Sequence, residues 1–306
     1  MPNAPRYQKN IAGSSIFDKA SGNNPGQTPF ASEKGPKPLA KKSLGQNFLQ
    51  DANIARKIVA TLHIEPTDAV LEIGPGPGAL SVHIEESSPS RYLLLEKDRA
   101  WAAFHAEQRG LSVQQASAVA LQSLETEPCG RAVLEGDALR VLWEDFIGPW
   151  KVVGNLPYNV ASPMMWELFS RMPQLQRAVF MVQKEVGERL AAKPGTGKYG
   201  ALSVWVQSFV QPKIEFIVPP QVFYPRPKVH SAVLSFTPLG TPCAFVPEAL
   251  ATLIKTCFQA RRKQLGSIFK EDVNVLDALQ HRGIAHNARP ETLSPADFHF
   301  VSSFKI

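Results

Sequence analysis

Asp68-Ala-Val-Leu-Glu-Ile-Gly-Pro-Gly-Pro-Gly-Ala-Leu80 begins as an apolar run and then places three glycines in five residues. Val70–Ile73 reads as a central strand, and Gly74, Gly76 and Gly78 as a tight turn into a helix. Glycines at such a turn let a ligand approach the backbone closely. The next apolar run, Tyr92-Leu-Leu-Leu-Glu-Lys-Asp98, ends in Glu96, about 20 residues beyond the loop, where an acid binds ribose hydroxyls in a Rossmann-like site. Gly74-x-Gly76-x-x-Ala79 also satisfies the dinucleotide fingerprint. Loop and acid together indicate an adenosine-containing cofactor, without choosing between NAD and S-adenosylmethionine.

Outward from this unit, the pattern predicts a helix from about Asp98 to Gln108, then a Gln/Ser/Ala-rich excursion near residues 110–130. A strand follows at Ala132–Leu139, and Asp137 after Gly136 offers a carboxylate that can accept a hydrogen bond from an adenine amino group. The next stretch, Lys151-Val-Val-Gly-Asn-Leu-Pro-Tyr158, is a buried strand that stops at Gly154 and turns at once into an amide, a proline and an aromatic. Asn155 offers an amide oxygen, Pro157 biases Leu156 toward an extended conformation, and Tyr158 supplies a flat face for a base. An acceptor beside an aromatic platform suits an enzyme that holds an extruded nucleobase by its amino group.

Upstream, Asp51 is placed to cap a helix bearing Ile54, Ile58, Val59 and Leu62 at helical spacing, and Gly45-Gln-Asn-Phe-Leu49 reads either as an ordinary helix entry or as a flap over a ligand. Downstream, the pattern predicts a helix near Ser162–Met172, a strand at Ala178–Gln183, a helix from Lys184, and strands at Leu202–Val210, Lys213–Val218 and Val233–Phe236. Strands alternating with helices mean a doubly wound α/β sheet. Phe223-Tyr-Pro-Arg-Pro-Lys-Val229 is a rigid turn that either caps the core or forms an edge that grips RNA or stacks a base. Leu250, Leu253, Ile254, Cys257 and Phe258 follow the helical period, with Arg261-Arg-Lys263 closing that helix, and shorter helices follow near Val273–Gln280 and Pro295–Phe304. Ser294-x-x-Asp297 resembles a capping box.

The 306 residues suffice for a large domain and a small one, here expected as a disordered basic arm over 1–38, a catalytic domain over 39–238 and a small helical domain over 239–306. The net charge of +6 is concentrated at the front: residues 1–45 hold seven Lys/Arg and two acids. A basic arm ahead of a near-neutral body favours a polyanionic partner such as nucleic acid. No apolar run approaches the ~20 residues of a membrane span. The first residues show no signal-peptide core, so a cytoplasmic protein with no membrane association is expected. Cys129, Cys243 and Cys257 are odd in number and far apart, which supports neither a disulfide framework nor a zinc site.

Taken together, Gly45-Gln-Asn-Phe-Leu49, Glu72-Ile-Gly-Pro-Gly76, Glu96, Gly136-Asp137, Gly154-Asn-Leu-Pro-Tyr158, Gln183-Lys-Glu185, Tyr199-Gly-x-Leu202-Ser203, Phe223-x-Pro225-x-Pro-Lys-Val229 with Ser231-Ala-Val233, and Arg261-Arg-Lys263 resemble, in this order, the ribosomal RNA adenine N6,N6-dimethyltransferase family, most of all its small-subunit branch. The resemblance spans about residues 41 to 300. It implies a Rossmann-like S-adenosylmethionine-dependent methyltransferase sheet with a small C-terminal helical domain, acting as a monomer on small-subunit rRNA or a small-subunit precursor in ribosome biogenesis. It further implies that Asn47, Leu49, Gly74, Gly76 and Asn155 line the cofactor site, with Glu96 on the ribose and Asp137 on the adenine amino group. Asn155 and the Leu156 carbonyl would hold the target amine in a catalytic stretch shaped by Pro157, Tyr158 and Phe223 would sandwich the base, and Lys228, Arg261, Arg262 and Lys263 would meet RNA. Arg226 and His230 depart from the family's proline and aspartate, and Gln264-Leu-Gly-Ser267 lacks its usual Arg-Asn pair. The rival readings are a large-subunit rRNA adenine methyltransferase, an RNA-binding ribosome-assembly factor with secondary catalysis, and a nicotinamide oxidoreductase.

Overall fold

A computed structural model describes residues 38–39, 45–116, 130–240 and 245–304, with the backbone alone at Tyr158. The basic arm with Lys41 and Lys42, most of the excursion near 110–130, Cys129, Cys243 and the stacking ring expected at Tyr158 lie outside the described residues.

The strands are β1 (Phe48–Leu49), β2 (Ala69–Ile73), β3 (Arg91–Glu96), β4 (Val113–Gln115), β5 (Arg131–Glu135), β6 (Trp150–Asn155), β7 (Leu175–Gln183), β8 (Val210–Val218), β9 (Phe223–Tyr224) and β10 (Ser231–Pro238). Eight of them form one sheet in the order β4-β5-β3-β2-β6-β7-β10-β8, and β1 pairs with β9 separately. The pairings from β4 through β7 are all parallel, whereas β10 runs antiparallel to β7 and β8. The chain starts its sheet at β2, winds outward through β3 and β5, then returns to the other side of β2 as β6. Ligands bind in such sheets at the carboxyl ends of the strands where the order reverses, here between β2 and β6. The α/β sheet read from the sequence is the sheet observed.

The helices are α1 (Ala52–Leu62), α2 (Ser81–Glu86), α3 (Arg99–Arg109), α4 (Tyr158–Arg171), α5 (Lys184–Leu190), α6 (Ala201–Gln207), α7 (Pro247–Gln259), α8 (Leu265–Ile268), α9 (Val273–His281) and α10 (Pro295–Ser302). None is long and apolar enough to cross a membrane. β2 shows why helices cover both faces of the sheet. All five of its residues are buried, with Ala69, Leu71 and Ile73 in one core and Val70 in the other. The first core receives α4, α6, α7, α9 and α10, and the second receives α1 to α3.

Local chemistry sets several boundaries. Asp51 caps α1 by accepting from Asn53 N at 2.9 Å and Ile54 N at 3.0 Å, and Ser294 and Asp297 cap α10 reciprocally. Such a cap stabilises by about 1 kcal/mol. α4 begins at Tyr158, earlier than expected, because the Pro157 carbonyl accepts from Val160 N and Ala161 N, and Pro163 is accommodated inside the helix.

Two expectations are corrected. Leu202–Val210 is not a strand: residues 201–207 form α6, and only Val210 joins β8. Val204, Trp205 and Val206 have strand propensity, but Ser203 through Val206 are all buried, so no helical period is visible in the sequence. Tertiary contacts hold the helix: Gly200 N donates to Ser203 Oγ at 3.0 Å, and Trp205 stacks on Trp166 with ring centroids 4.0 Å apart. The second correction is at Arg261-Arg-Lys263, which follows α7 instead of closing it, since the helix ends at Gln259 with Ala260 as its cap.

Candidate active site

The strand ends of β2, β3, β5 and β6 open into one pocket, walled on the far side by Gly45–Leu49 and the start of α4. Gly74 turns the chain out of β2 at φ +66°, and a Cβ there would project into open space, not into protein. Gly154 has a different reason to lack a side chain: a Cβ would sit 2.7 Å from the Ile73 carbonyl oxygen, so β6 approaches β2 only as glycine. The close approach places Asn155 beside the loop.

Glu96 ends β3 with 5% of its surface exposed. Its Oε2 accepts from Gly76 N at 3.0 Å and its Oε1 from Asp98 N at 2.8 Å. Burial pushes the carboxyl up, and the backbone donors at Asp98 and Gly76 pull against that shift. The acid therefore fixes the glycine loop while presenting its remaining lone pairs to the pocket.

Asp137 lies in the turn after β5, because that strand stops at Glu135 and not at Leu139. Its Oδ1 accepts from Leu139 N at 3.1 Å and its Oδ2 from Lys97 Nζ at 2.7 Å. Although partial burial acts upward, the hydrogen bonds from Lys97 and Leu139 and the Lys97 charge hold this carboxyl below its usual range. Asp137 stays ionised.

β6 continues through Gly154 to Asn155. Asn155 Nδ2 donates to the Asn47 carbonyl at 3.0 Å, and Asn47 Nδ2 donates to the Gly45 carbonyl at 3.1 Å. The first bond sets the amide orientation, since a carbonyl cannot accept from Oδ1. Oδ1 is left as an acceptor without a partner among the described residues.

Nine of the anticipated residues thus meet at one pocket: Asn47, Leu49, Gly74, Gly76, Glu96, Asp137, Asn155, Leu156 and Pro157. Phe223 is not among the lining residues; it is buried in the core formed with Leu49, Val218 and Val233. Lys228, Arg262 and Lys263 are exposed elsewhere on the surface. Arg261 is half-buried, and its Nη2 donates to the Gly197 carbonyl at 3.0 Å, which ties it into the fold.

Beneath the loop lies a polar network without an assigned role in the sequence. Glu72 faces the pocket with 1% of its surface exposed, and its Oε2 accepts from Ser81 Oγ at 2.7 Å and from the Tyr92 hydroxyl. Desolvation raises its carboxyl to about 7, against the two hydroxyl donors. His105 supports the loop from α3: its Nε2 meets the Gly76 carbonyl and its Nδ1 meets Arg109 Nη1, each at 2.8 Å. Arg109 donates at Nη1, so Nδ1 accepts and Nε2 carries the proton given to Gly76. Burial, and secondarily the Arg109 charge, lowers His105 to about 4. Glu72 belonged to the quoted loop motif, but only burial reveals it as an ionisable group at the pocket.

A glycine cradle with space for a ligand, a buried acid one strand away and an ionised acid two strands away fit an adenosine-bearing cofactor. Comparison with known proteins narrows this. The ribosomal RNA adenine dimethylase family model matches residues 38–306. A ribosomal RNA small subunit methyltransferase A of Nitratidesulfovibrio vulgaris strain DP4 is 54% identical over 266 residues, covering 85% of this chain and 94% of the relative. Among solved structures, a dimethyladenosine transferase from Plasmodium falciparum superposes with TM-score 0.69 at 25% identity, covering 83% of this chain and 95% of that one. The 23S rRNA methyltransferase ErmE, at TM-score 0.60 and 22% identity over 84% of this chain and 99% of its own, shares the fold. With its strand-end acids, its glycine cradle and a match running almost the length of the chain, this protein belongs to the ribosomal RNA adenine dimethylase family.

Proposed function

We propose that the protein transfers methyl groups from S-adenosylmethionine to N6 of two adjacent adenosines in a 3′-terminal hairpin loop of small-subunit rRNA. Family membership and the 54% identity to a small-subunit enzyme support the activity and the subunit, while the large-subunit enzyme is related at 22%. The observation that carries the chemistry is the Asn155 amide, whose Nδ2 is committed to Asn47 and whose Oδ1 therefore remains to accept.

S-adenosylmethionine supplies, when bound, an electrophilic methyl group on a sulfonium that leaves as a neutral thioether. Asn47, Leu49, Gly74 and Gly76 form its wall, Glu96 takes the ribose hydroxyls, and Asp137 takes the adenine amino group. Adenine N6 is a poor nucleophile because its lone pair is delocalised into the ring. Asn155 Oδ1 and the Leu156 carbonyl accept its two amino protons, which favours a pyramidal nitrogen with its lone pair free. Pro157 holds that turn extended, and Tyr158 stacks on the base. Positioning supplies most of the catalysis, and the product ammonium is acidic enough to lose its proton to water. Residues 39–238 carry this chemistry, while the helices of 239–306 with Arg262, Lys263 and, from the catalytic part, Lys228 meet rRNA phosphates.

The test is primer extension across both rRNAs after incubation of the protein and cofactor with unmethylated ribosomal subunits. Stops at two neighbouring adenosines near the 3′ end of the small-subunit RNA are expected. Stops in large-subunit RNA alone, or cofactor binding without methyl transfer, would overturn the reading.

A further inference from the structure

Between β9 and β10 the chain forms a strap, Phe223-Tyr-Pro-Arg-Pro-Lys-Val-His230. Both its ends are tied down. Just before it, the Val222 carbonyl accepts from Gln50 N at 2.8 Å, and at its end the His230 carbonyl accepts from Lys184 N at 2.9 Å. Phe223 and Pro227 are buried and anchor the strap, whereas Tyr224, Arg226, Lys228, Val229 and His230 are exposed.

Tyr224 is the aromatic that the strap turns outward, 64% exposed. It is not on a loose loop: in the antiparallel pair of β1 and β9 it stands opposite Phe48, a residue of the pocket wall. A single exposed aromatic is ordinary on a protein surface. The combination here is more specific. The backbone is fixed, the ring lies one strand from the pocket, and neither Arg226 nor Lys228 makes an ion pair with a described residue. An aromatic face followed along the strap by two cations, unpaired among the described residues, matches single-stranded nucleic acid, which offers a base and its phosphates together.

We infer that Tyr224 is a stacking platform for an unpaired rRNA base flanking the adenosine held at Asn155, with Arg226 and Lys228 on the adjoining phosphates. This rests on the rRNA reading above. It moves the exposed stacking face from Phe223, which the core has consumed, to its neighbour.

Stacking and phosphate contact differ in salt dependence, which makes the roles separable. The full chain is titrated with small-subunit particles over a range of salt, and with S-adenosylhomocysteine by calorimetry. Tyr224→Ala is expected to weaken RNA binding by about fivefold to a hundredfold with an unchanged salt slope. Tyr224→Phe restores the affinity because the ring face survives. Arg226→Ala with Lys228→Ala flattens the slope by about two phosphate contacts. Affinity for S-adenosylhomocysteine stays the same throughout. Wild-type RNA affinity in Tyr224→Ala, a Tyr224→Phe as weak as Tyr224→Ala, or a parallel loss of S-adenosylhomocysteine affinity overturns the inference. Methylation of small-subunit RNA by the wild type reports separately on the reading beneath it.

Discussion

The two ends of the pocket are built differently. At the glycine loop three side chains are tied down: Glu96 holds Gly76 and Asp98, Glu72 holds Ser81 and Tyr92, and His105 holds the Gly76 carbonyl. At the Asn155 end the amide makes one bond, to the Asn47 carbonyl, and keeps its oxygen available. The loop end is a cradle held by hydrogen bonds already in place. The Asn155 end keeps an acceptor that, on the function proposed above, a substrate amine completes. Binding strength should therefore concentrate at the first, and rate at the second.

Breaking the second end should have the largest effect. Asn155→Ala is expected to cost about 2.7–4 kcal/mol in the transition state, a hundredfold to a thousandfold in single-turnover rate, with the fold and RNA affinity close to normal. An active Asn155→Ala would remove the amide from its positioning role.

Next comes the burial of Glu72. Its folded-state carboxyl is raised to about 7 from 4.5, so the folded protein binds a proton that the unfolded chain has lost between these values. Stability from this group is full below about pH 4.5 and is lost as pH rises through 7. Glu72→Gln should make the cofactor-free protein more stable at pH 8 by up to about 3 kcal/mol, with little gain near pH 4.5. Urea unfolding at both pH values decides it, and a gain independent of pH would mean that the carboxylate is not the cost.

Glu96→Ala should weaken S-adenosylmethionine binding by about 1–3 kcal/mol, through lost ribose contacts and through release of the Gly76 and Asp98 amides. Calorimetry showing unchanged affinity would take Glu96 out of the site. The smallest effect belongs to the exposed cations: Arg262→Ala with Lys263→Ala should reduce the salt slope of rRNA binding by about two contacts. Cofactor affinity should not move. Arg261 is better left in place, since its bond to Gly197 makes its loss a structural change.

The contrast between the two ends also explains what could be read without a structure. Nine of the anticipated residues face one pocket because the last residues of strands and the short loops beside them carry them, and strand ends are marked in sequence by glycine, proline and acids. Glu72, although quoted within the loop motif, and His105 carried no sign of a role of their own. Each looks like a polar residue in an apolar or helical run, and its role follows from burial and from partners far away in the chain, as in the bond from Tyr92 to Glu72. Phe223 and Tyr224 are adjacent aromatics in one motif, and sequence cannot say which is buried. The pairing with β1 decides that Phe223 faces the core.

The sequence by itself determined the doubly wound sheet, the caps of α1 and α10, and the residues gathered at the strand ends, because these depend on period, turn chemistry and order along the chain. Tertiary structure alone decided that residues 201–207 are helical, that Arg261 ties into the fold and that Glu72 is an ionisable group at the pocket. Helix propensity differences amount to less than about 1 kcal/mol per residue, so stacking Trp205 on Trp166 and burying both faces of α6 override them. A carboxyl's character is likewise set by the water it loses, and that is fixed only when distant segments close over it.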